Sequence, residues 1–183
     1  MRHMGTAMTD ESAPADYDAI YRAHRARVLR LCRLMLGDPD DAQEVCQEVF
    51  LRLHRALGDG DATVRWSAWL TTVTVNACRD RRRSRWWRWL RGHAALDDDA
   101  LPDHRFGPEQ AVLDGETRRR IWRAFQALPA RQREVFALRQ LEGCSTDETA
   151  ALLGLSTGSV KQHLFRAIRH LREYRRLVAR GTR

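Results

Sequence analysis

The chain has 183 residues, a hydrophobic content of 43% and a formal net charge of +8. This length allows one domain or two small ones with packed cores, and the positive charge favours a polyanionic partner, most often nucleic acid. No apolar run is long enough to span a membrane and no signal peptide is evident, so we expect no membrane insertion and a cytoplasmic protein.

The four cysteines do not form a metal or redox motif. Cys32, Cys46, Cys78 and Cys144 are far apart in sequence, and no pair has the short spacing of a zinc knuckle or a redox pair. Three of them fall on apolar helix faces, which is typical of small buried side chains. With no Gly-rich phosphate loop and no paired carboxylates either, we expect no metal, no cofactor and no enzyme activity.

The first half of the chain predicts three helices. Residues 1–15 are expected to be disordered, and MRHMGTAM is set aside as a candidate tag remnant. Apolar spacing predicts a helix from Asp16 to Gly37, and then a second helix capped by Asp38 with Pro39 in its first position. After the loop GDGDATV, a third helix is predicted from about Trp66 to Arg83, with Thr71 on its outer side.

Residues 86–115 predict a flexible linker, which begins either as loop or as a continuation of the third helix. The change of character begins at residue 84 with SRWWRWLRGH, which is rich in tryptophan and can pack on the first domain, contact a partner or lie on a membrane surface; the first two are favoured. The second part of the linker is acidic. The run Asp97–Asp99 is either a mimic of nucleic acid or a solvated part of a tether.

The second half predicts four helices. Ile121, Trp122, Phe125 and Leu128 indicate the first. Pro129 begins the next, and Val135, Leu138 and Leu141 lie on one side of it, before Gly143 ends it. Residues 179–183 form a basic tail that adds at most non-specific attraction to phosphate.

The last two helices predict a helix-turn-helix. Ser145 and Glu148 have the spacing of a capping box, Gly154 suits a left-handed helix end, and Ser156 can cap the next helix. In that helix Val160 begins a buried stripe, which continues through Leu164, Ile168 and Leu171. The opposite face carries Lys161, Gln162, Phe165, Arg166 and Arg169. Such a face enters the major groove in helix-turn-helix proteins; the alternative is an ordinary helical hairpin with a solvated basic face.

The predicted fold class is therefore all-α, with two small helical domains joined by a flexible linker. The N-terminal domain, residues 16–85, has three to four helices. The C-terminal domain, residues 116–178, has four helices and includes the helix-turn-helix, and residues 86–115 connect the two.

Two segments carry a resemblance to one family. DPDDAQEVCQEVFLRLHRAL, at 38–57, resembles the second conserved region of bacterial RNA polymerase sigma factors, and LPARQREVFALRQLEGCSTDETAALLGLSTGSVKQHLFRAIRHLR, at 128–172, resembles their fourth region. The absence of a domain between them resembles the extracytoplasmic-function (ECF) group. The resemblance implies that core RNA polymerase (its β′ clamp coiled coil and β flap), promoter DNA and an anti-sigma factor are the partners.

The resemblance also assigns site residues. In the first domain it implies polymerase contacts on the second helix at Asp41, Gln47, Glu48 and Leu51, although a solvated acidic face would have the same pattern. It implies that the third helix opens the −10 promoter element, with Trp66, Asn76, Arg79, Arg82 and Arg83 as candidates. Asn76 can bond a base edge, and the arginines can follow phosphates.

In the second domain, the resemblance implies contacts to the −35 element. Lys161 and Gln162 can reach bases, and Phe165 can contact a thymine methyl group or a sugar. Arg139 and Arg166 are expected to anchor phosphates.

Two other functions fit parts of the pattern. A conventional helix-turn-helix regulator would bind duplex DNA tightly without polymerase. A sigma mimic that titrates an anti-sigma factor would have no need of Lys161, Arg166 or the Arg79–Arg83 run.

Overall fold

The computed structural model describes residues 16–58, 65–90 and 115–180, and every regular element within these ranges is helical. The predicted all-α fold is confirmed. The helices are α1 (Tyr17–Leu36), α2 (Pro39–Gly58), α3 (Trp66–Leu90), α4 (Gly115–Gln126), α5 (Ala130–Phe136), α6 (Thr146–Leu153) and α7 (Thr157–Arg180), and a π-helical turn, Ala137–Leu141, continues α5. The predicted disordered start, the acidic run Asp97–Asp99, the tryptophan side chains at 86–90 and the arginines of the basic tail lie outside the residues or side chains described.

The junction between α1 and α2 forms as its sequence predicts. Gly37 ends α1 with a φ of 81°, in the left-handed region that favours glycine. Asp38 then caps α2, because its Oδ1 accepts hydrogen bonds from the backbone N–H of Asp40 at 2.9 Å and of Asp41 at 3.0 Å. This short connection makes α1 and α2 antiparallel neighbours, and both pack on α3.

The core of the first half comes from the predicted apolar stripes. Its fully buried side chains include Leu31, Met35, Val45, Val49, Leu53, Leu70 and Val75. Thr71, predicted to face outward, is buried instead, because its hydroxyl accepts a hydrogen bond from Arg27 of α1 at 3.0 Å. Helix α3 also continues to Leu90, through the start of the predicted linker.

The second half contains a π-helical turn that the sequence did not predict. The N–H of Glu142 donates to the carbonyl of Ala137 at 3.0 Å, five residues back. This wider turn shifts the helical register, so Leu141 is 44% exposed and not on the buried side with Val135 and Leu138. Ile121 of α4, also predicted to be apolar core, is 52% exposed.

The helix-turn-helix has the predicted ends. Ser145 Oγ accepts from Glu148 N–H at 3.1 Å, and Ser145 N–H donates to Glu148 Oε2 at 2.6 Å, so the capping box is complete. Gly154 follows α6 with a φ of 63°. Ser156 caps α7 through Ser159 N–H at 3.1 Å. The inner side of α7 buries Val160 and Ala167.

The two halves pack against each other. Helix α1 contacts α5 and the π-helical turn, and α3 contacts α6. In the described ranges no helix is long and apolar enough to cross a membrane, and no group of three or more His, Cys, Asp and Glu side chains could hold a metal ion.

Candidate nucleic-acid and protein interfaces

The outer face of α7 is open to solvent. Lys161, Gln162, Phe165 and Arg166 are all exposed, and Phe165 exposes 65% of its surface. Within the part of the chain that the structure describes, neither Lys161 nor Arg166 has an ion-pair partner. The face therefore combines two free cations, an amide and an exposed aromatic ring, a set that can contact phosphates, base edges and thymine methyl groups.

Arg139, the fifth residue predicted for the −35 element, belongs to the π-helical turn and not to α7, and it makes a contact within the protein. It is half-buried in the π-helical turn, and its Nη1 donates to the backbone carbonyl of Cys144. The contact holds the loop that leads into the capping box of α6. Any contact between Arg139 and a DNA phosphate would have to use the guanidinium N–H groups that do not bond Cys144.

The residues predicted for the −10 element all lie on α3, but in different surroundings. Asn76 and Arg83 are exposed, and among the described residues the ion-pair partner of Arg83 is Asp80 of its own helix, at 3.0 Å. Trp66 is half-buried and packs edge-to-face on Trp69, with ring centroids 5.7 Å apart. The structure thus presents Asn76 and Arg83 to solvent and holds Trp66 partly against the protein.

Arg79 and Arg82 are engaged by the second half. Arg79 Nη1 donates to the carbonyl of Leu152 at 3.2 Å, and Arg82 pairs with the carboxylate of Glu134, which is fully buried. In this arrangement neither guanidinium is free to follow a DNA strand. The sequence could not indicate this, because the partners are more than 50 residues away along the chain.

The residues predicted to contact polymerase are also divided. Gln47 and Leu51 are exposed on α2, Leu51 at 60%, and Glu48 pairs with Arg52 one turn on. Asp41 differs, because it pairs with Arg81 at 3.0 Å and Arg85 at 2.6 Å, both from α3. Asp41 therefore ties two helices together in this structure.

A groove between α1 and α2 adjoins Gln47 and Leu51. It has a volume of about 330 Å³ and is lined by Tyr17, Tyr21, Arg25, Leu29, Gln43, Cys46, Gln47, Phe50 and Leu51. Tyr21 packs edge-to-face on Phe50 with centroids 4.8 Å apart, and Arg25 lies over the Tyr21 ring at 6.0 Å. Sequence reasoning missed the two tyrosines, although their spacing of four places them on one face of α1.

A second groove lies in the other half, between the end of α5 and α7. It has a volume of about 370 Å³ and is lined by Phe136, Ile168, Leu171 and Arg172. Its lining is mostly apolar, so it can accept an apolar side chain from another protein.

Burial makes the cysteines poor nucleophiles. Cys32, Cys46 and Cys78 are buried and free. Burial raises the pKa of Cys46 to about 11, and a hydrogen bond with Cys78, together with burial, raises the pKa of Cys32. Since the thiolate is the reactive form, these side chains act as small apolar groups in the core.

Two family models match the chain. The model of sigma-70 region 2 matches residues 20–88, and the model of sigma-70 region 4 matches residues 118–171. The first match contains α2 and most of α3, and the second contains α6, the turn after it and α7 up to residue 171.

Curated relatives match along most of the chain. The RNA polymerase sigma-E factor of Streptomyces avermitilis is 35% identical over 164 residues, which are 86% of this chain and 84% of that protein. The ECF RNA polymerase sigma factor SigE of Mycolicibacterium smegmatis is 32% identical over 171 residues, 92% of this chain. The chain spans 65% of the length of that SigE.

Solved structures share the fold. The sigma factor RpoE of Bartonella quintana, solved with the anti-sigma factor NepR, superposes with a TM-score of 0.69 at 19% identity, covering 88% of this chain and 97% of its own. CnrH, solved with the cytosolic domain of CnrY, gives 0.56 at 23% identity, covering 89% and 91%. Both likenesses extend over the two helical halves.

Proposed function

Because the chain belongs to the sigma-70 family of bacterial RNA polymerase sigma factors, in its extracytoplasmic-function group, we propose that it binds core RNA polymerase and directs it to a specific set of promoters. It would recognise the −35 and −10 elements with its two helical halves and work in the cytoplasm. Binding energy drives the opening of the DNA, and the proposal needs no catalytic group in this chain.

The observation that carries the proposal is the open outer face of α7. Lys161, Gln162, Phe165 and Arg166 are exposed on a helix whose inner side is fixed by Val160 and Ala167. A rigid helix with free donors on its outer side suits the major groove of duplex DNA. Lys161 and Gln162 are assigned to bases, Phe165 to a thymine methyl group or sugar, and Arg166 to phosphate.

For the −10 element, we assign strand contacts to α3. The exposed amide of Asn76 can bond the edge of an unstacked base, and Arg83 can follow the phosphates beside it. Arg79 and Arg82 would join them once they leave their partners in the second half. Trp66 would stack on a base with its exposed part, while Trp69 supports it.

For the polymerase, we assign the contact with the β′ clamp coiled coil to α2. Leu51 is an exposed apolar side chain next to the amide of Gln47 and the carboxylate of Glu48, a combination that suits helix-to-helix docking. The groove along α1 adds aromatic surface at the same place. The mostly apolar groove of the second half, bordered by Phe136 and Leu171, is the corresponding candidate for the β flap.

We also assign an anti-sigma factor as regulator. The two structural relatives described above were solved as complexes with such a factor or with the cytosolic domain of a partner. Exposed apolar surface on both halves of this chain, at Leu51 and beside Leu171, gives a protein partner places to bind.

Transcription from genomic DNA with purified core polymerase tests the proposal. Start sites that appear only when the chain is added are sequenced, and we expect them to share a −35 and a −10 motif at a fixed separation. A conventional regulator would give no new start sites without another sigma factor, and a sigma mimic would give none. Either outcome would contradict the proposal.

A further inference from the structure

The contact between the two halves is rich in charge. Four arginines of the first half reach the second half: Arg27 and Arg30 from α1, and Arg79 and Arg82 from α3. Three of them meet carboxylates, of Glu134 or Glu142. The contact therefore depends on a few ion pairs as well as on apolar packing.

Glu134 is the most deeply placed of these groups. Its side chain has no exposed surface, and it pairs with Arg82 across the contact and with Arg131 of its own helix at 3.0 Å. A charged carboxylate at such a depth depends on its partners, because burial without them is very unfavourable. Arg82 therefore contributes directly to the stability of the closed arrangement.

Glu142 follows the π-helical turn, and the ion pairs that it forms within the described residues all cross the contact between the halves. Its side chain is 1% exposed, and its ion-pair partners in the described chain are Arg27 at 2.6 Å and Arg30 at 3.6 Å. Both belong to α1. The N–H of Glu142 closes the π turn by donating to the carbonyl of Ala137, so the π turn and the ion pairs to α1 meet at this one residue.

The ion pairs of the contact carry a cost as well as a gain. Arg82 and Glu134, like Arg27 and Glu142, lose hydration when the halves close, and this desolvation offsets part of their mutual attraction. Separation of the halves returns these charged groups to water. An interface that depends on such pairs can therefore open.

The ion pairs occupy a residue that DNA would need. A phosphate and a carboxylate bind a guanidinium in the same way, so Glu134 and a DNA strand compete for Arg82. Arg79, held by the carbonyl of Leu152, is covered by the same contact. Closure of the halves therefore removes two of the three arginines assigned to the strand.

We propose that Glu134 and Glu142 form an internal latch that closes the free chain and withholds Arg79 and Arg82 from single-stranded DNA. This inference rests on the proposed function for its DNA arm, whereas closure itself is independent of it. In the closed chain the second half occupies the strand-binding cations of the first. Separation of the halves releases both arginines together.

The test compares the full chain with Glu142→Gln and with Glu134→Gln/Glu142→Gln. The radius of gyration from small-angle X-ray scattering reports closure, and the affinity for a fluorescein-labelled single-stranded dT12 oligonucleotide reports access to the arginines. Asp147→Asn/Glu173→Gln is the matched control, because it removes two exposed carboxylates of the same half. Far-UV circular dichroism checks that each variant keeps its helices.

We expect the double variant to have a larger radius of gyration and to bind dT12 about tenfold more tightly, with no change in the control. An unchanged radius in a folded double variant would overturn the latch. If Glu134→Gln unfolds the second half, the Glu142→Gln variant alone decides, since the ion-pair partners of Glu142 lie in α1.

If the radius of gyration rises but the affinity for dT12 stays equal to that of the control, the latch does not withhold the strand contacts and the inference fails. That last result would also count against the proposed −10 role of Arg79 and Arg82, whereas an unchanged radius would leave the role standing.

Discussion

Asp41 and Leu51 lie on the same helix, and both are assigned to polymerase by sequence, yet their surroundings differ. Leu51 projects from α2 with 60% of its surface exposed. Asp41 has a side chain only 15% exposed and pairs with two arginines of α3. A substitution at Asp41 will therefore lower the stability of the chain as well as affect any interface, whereas a substitution at Leu51 reports on the interface alone.

Asp41→Asn should lower the free energy of unfolding by about 1.5 kcal/mol, because it weakens charged hydrogen bonds to both Arg81 and Arg85. Urea unfolding followed by circular dichroism measures the change. Asp40→Asn is the control, since that exposed side chain has no ion-pair partner in the described residues, and we expect about 0.5 kcal/mol or less. Equal effects of the two variants would show that the ties to α3 add no stability.

Leu51→Arg should weaken binding to core polymerase by about 2 kcal/mol, or about 30-fold in Kd, while the free chain stays folded. The reason is that an exposed apolar side chain of the proposed helix-to-helix interface is replaced by a charge. Fluorescence anisotropy of the labelled chain titrated with core polymerase gives the affinity. Thr72→Arg, at an exposed position of α3, is the matched control. Unchanged affinity for Leu51→Arg would remove this face of α2 from the interface.

At the scale of elements, the orientation of α7 depends on the short helix before it. Helix α6 has eight residues, too few to be stable alone, and its start is fixed by the reciprocal bonds of Ser145 and Glu148. Gly154, in the left-handed region, then turns the chain into α7. The cap, the glycine and the buried Val160 together set the direction in which Lys161 and Phe165 project.

Ser145→Ala should lower the stability of the second half by about 1 kcal/mol, because the N–H of Glu148 loses its acceptor. Urea unfolding gives the size of the effect. Ser156 offers a comparison, since it caps α7 in the same way, through Ser159. Wild-type stability of Ser145→Ala would mean that water replaces the cap without cost.

The same cap predicts a dependence on pH. Hydrogen bonds from the backbone and then the side chain of Ser145 lower the pKa of Glu148 below its ordinary 4.5. The carboxylate's contribution to stability is therefore complete above pH 4.5 and is lost as the pH falls through the lowered value. Glu148→Gln should lose less stability than wild type between neutral and acid pH. If wild type and Glu148→Gln lose the same stability as the pH falls, with Glu173→Gln as the reference variant, the prediction is contradicted.

At the scale of the whole molecule, the features that could be predicted from the sequence are those that local patterns determine. Apolar spacing located the helices, and Asp38, Gly37, Ser145 and Gly154 marked their ends correctly. The resemblance of 38–57 and 128–172 to sigma factors is confirmed by family models covering residues 20–88 and 118–171. These features depend on residues within a turn or two of each other, so a single sequence contains them.

The rest depends on contacts between distant parts of the chain. The burial of Thr71 results from Arg27, and the engagement of Arg82 results from Glu134, 52 residues further on. The π-helical turn has no strong local signal, so the exposure of Leu141 could not be predicted either. The assignments of Asn76, Arg83 and the α7 face to DNA stay predictions, which measurements of DNA binding and transcription test.

The most direct measurement is transcription by core polymerase and the chain from one mapped promoter, in intact form and with a scrambled −35 element. We expect Lys161→Ala/Arg166→Ala to abolish transcription from the intact promoter and to have no further effect on the scrambled one. Loss of a good base contact costs about 1–3 kcal/mol, and Lys161 would contribute that much if it reads a base. Arg119→Ala/Arg123→Ala removes two exposed positive charges elsewhere in the same half and should leave transcription unchanged. Undiminished transcripts from the intact promoter with the Lys161 and Arg166 variant would contradict the account.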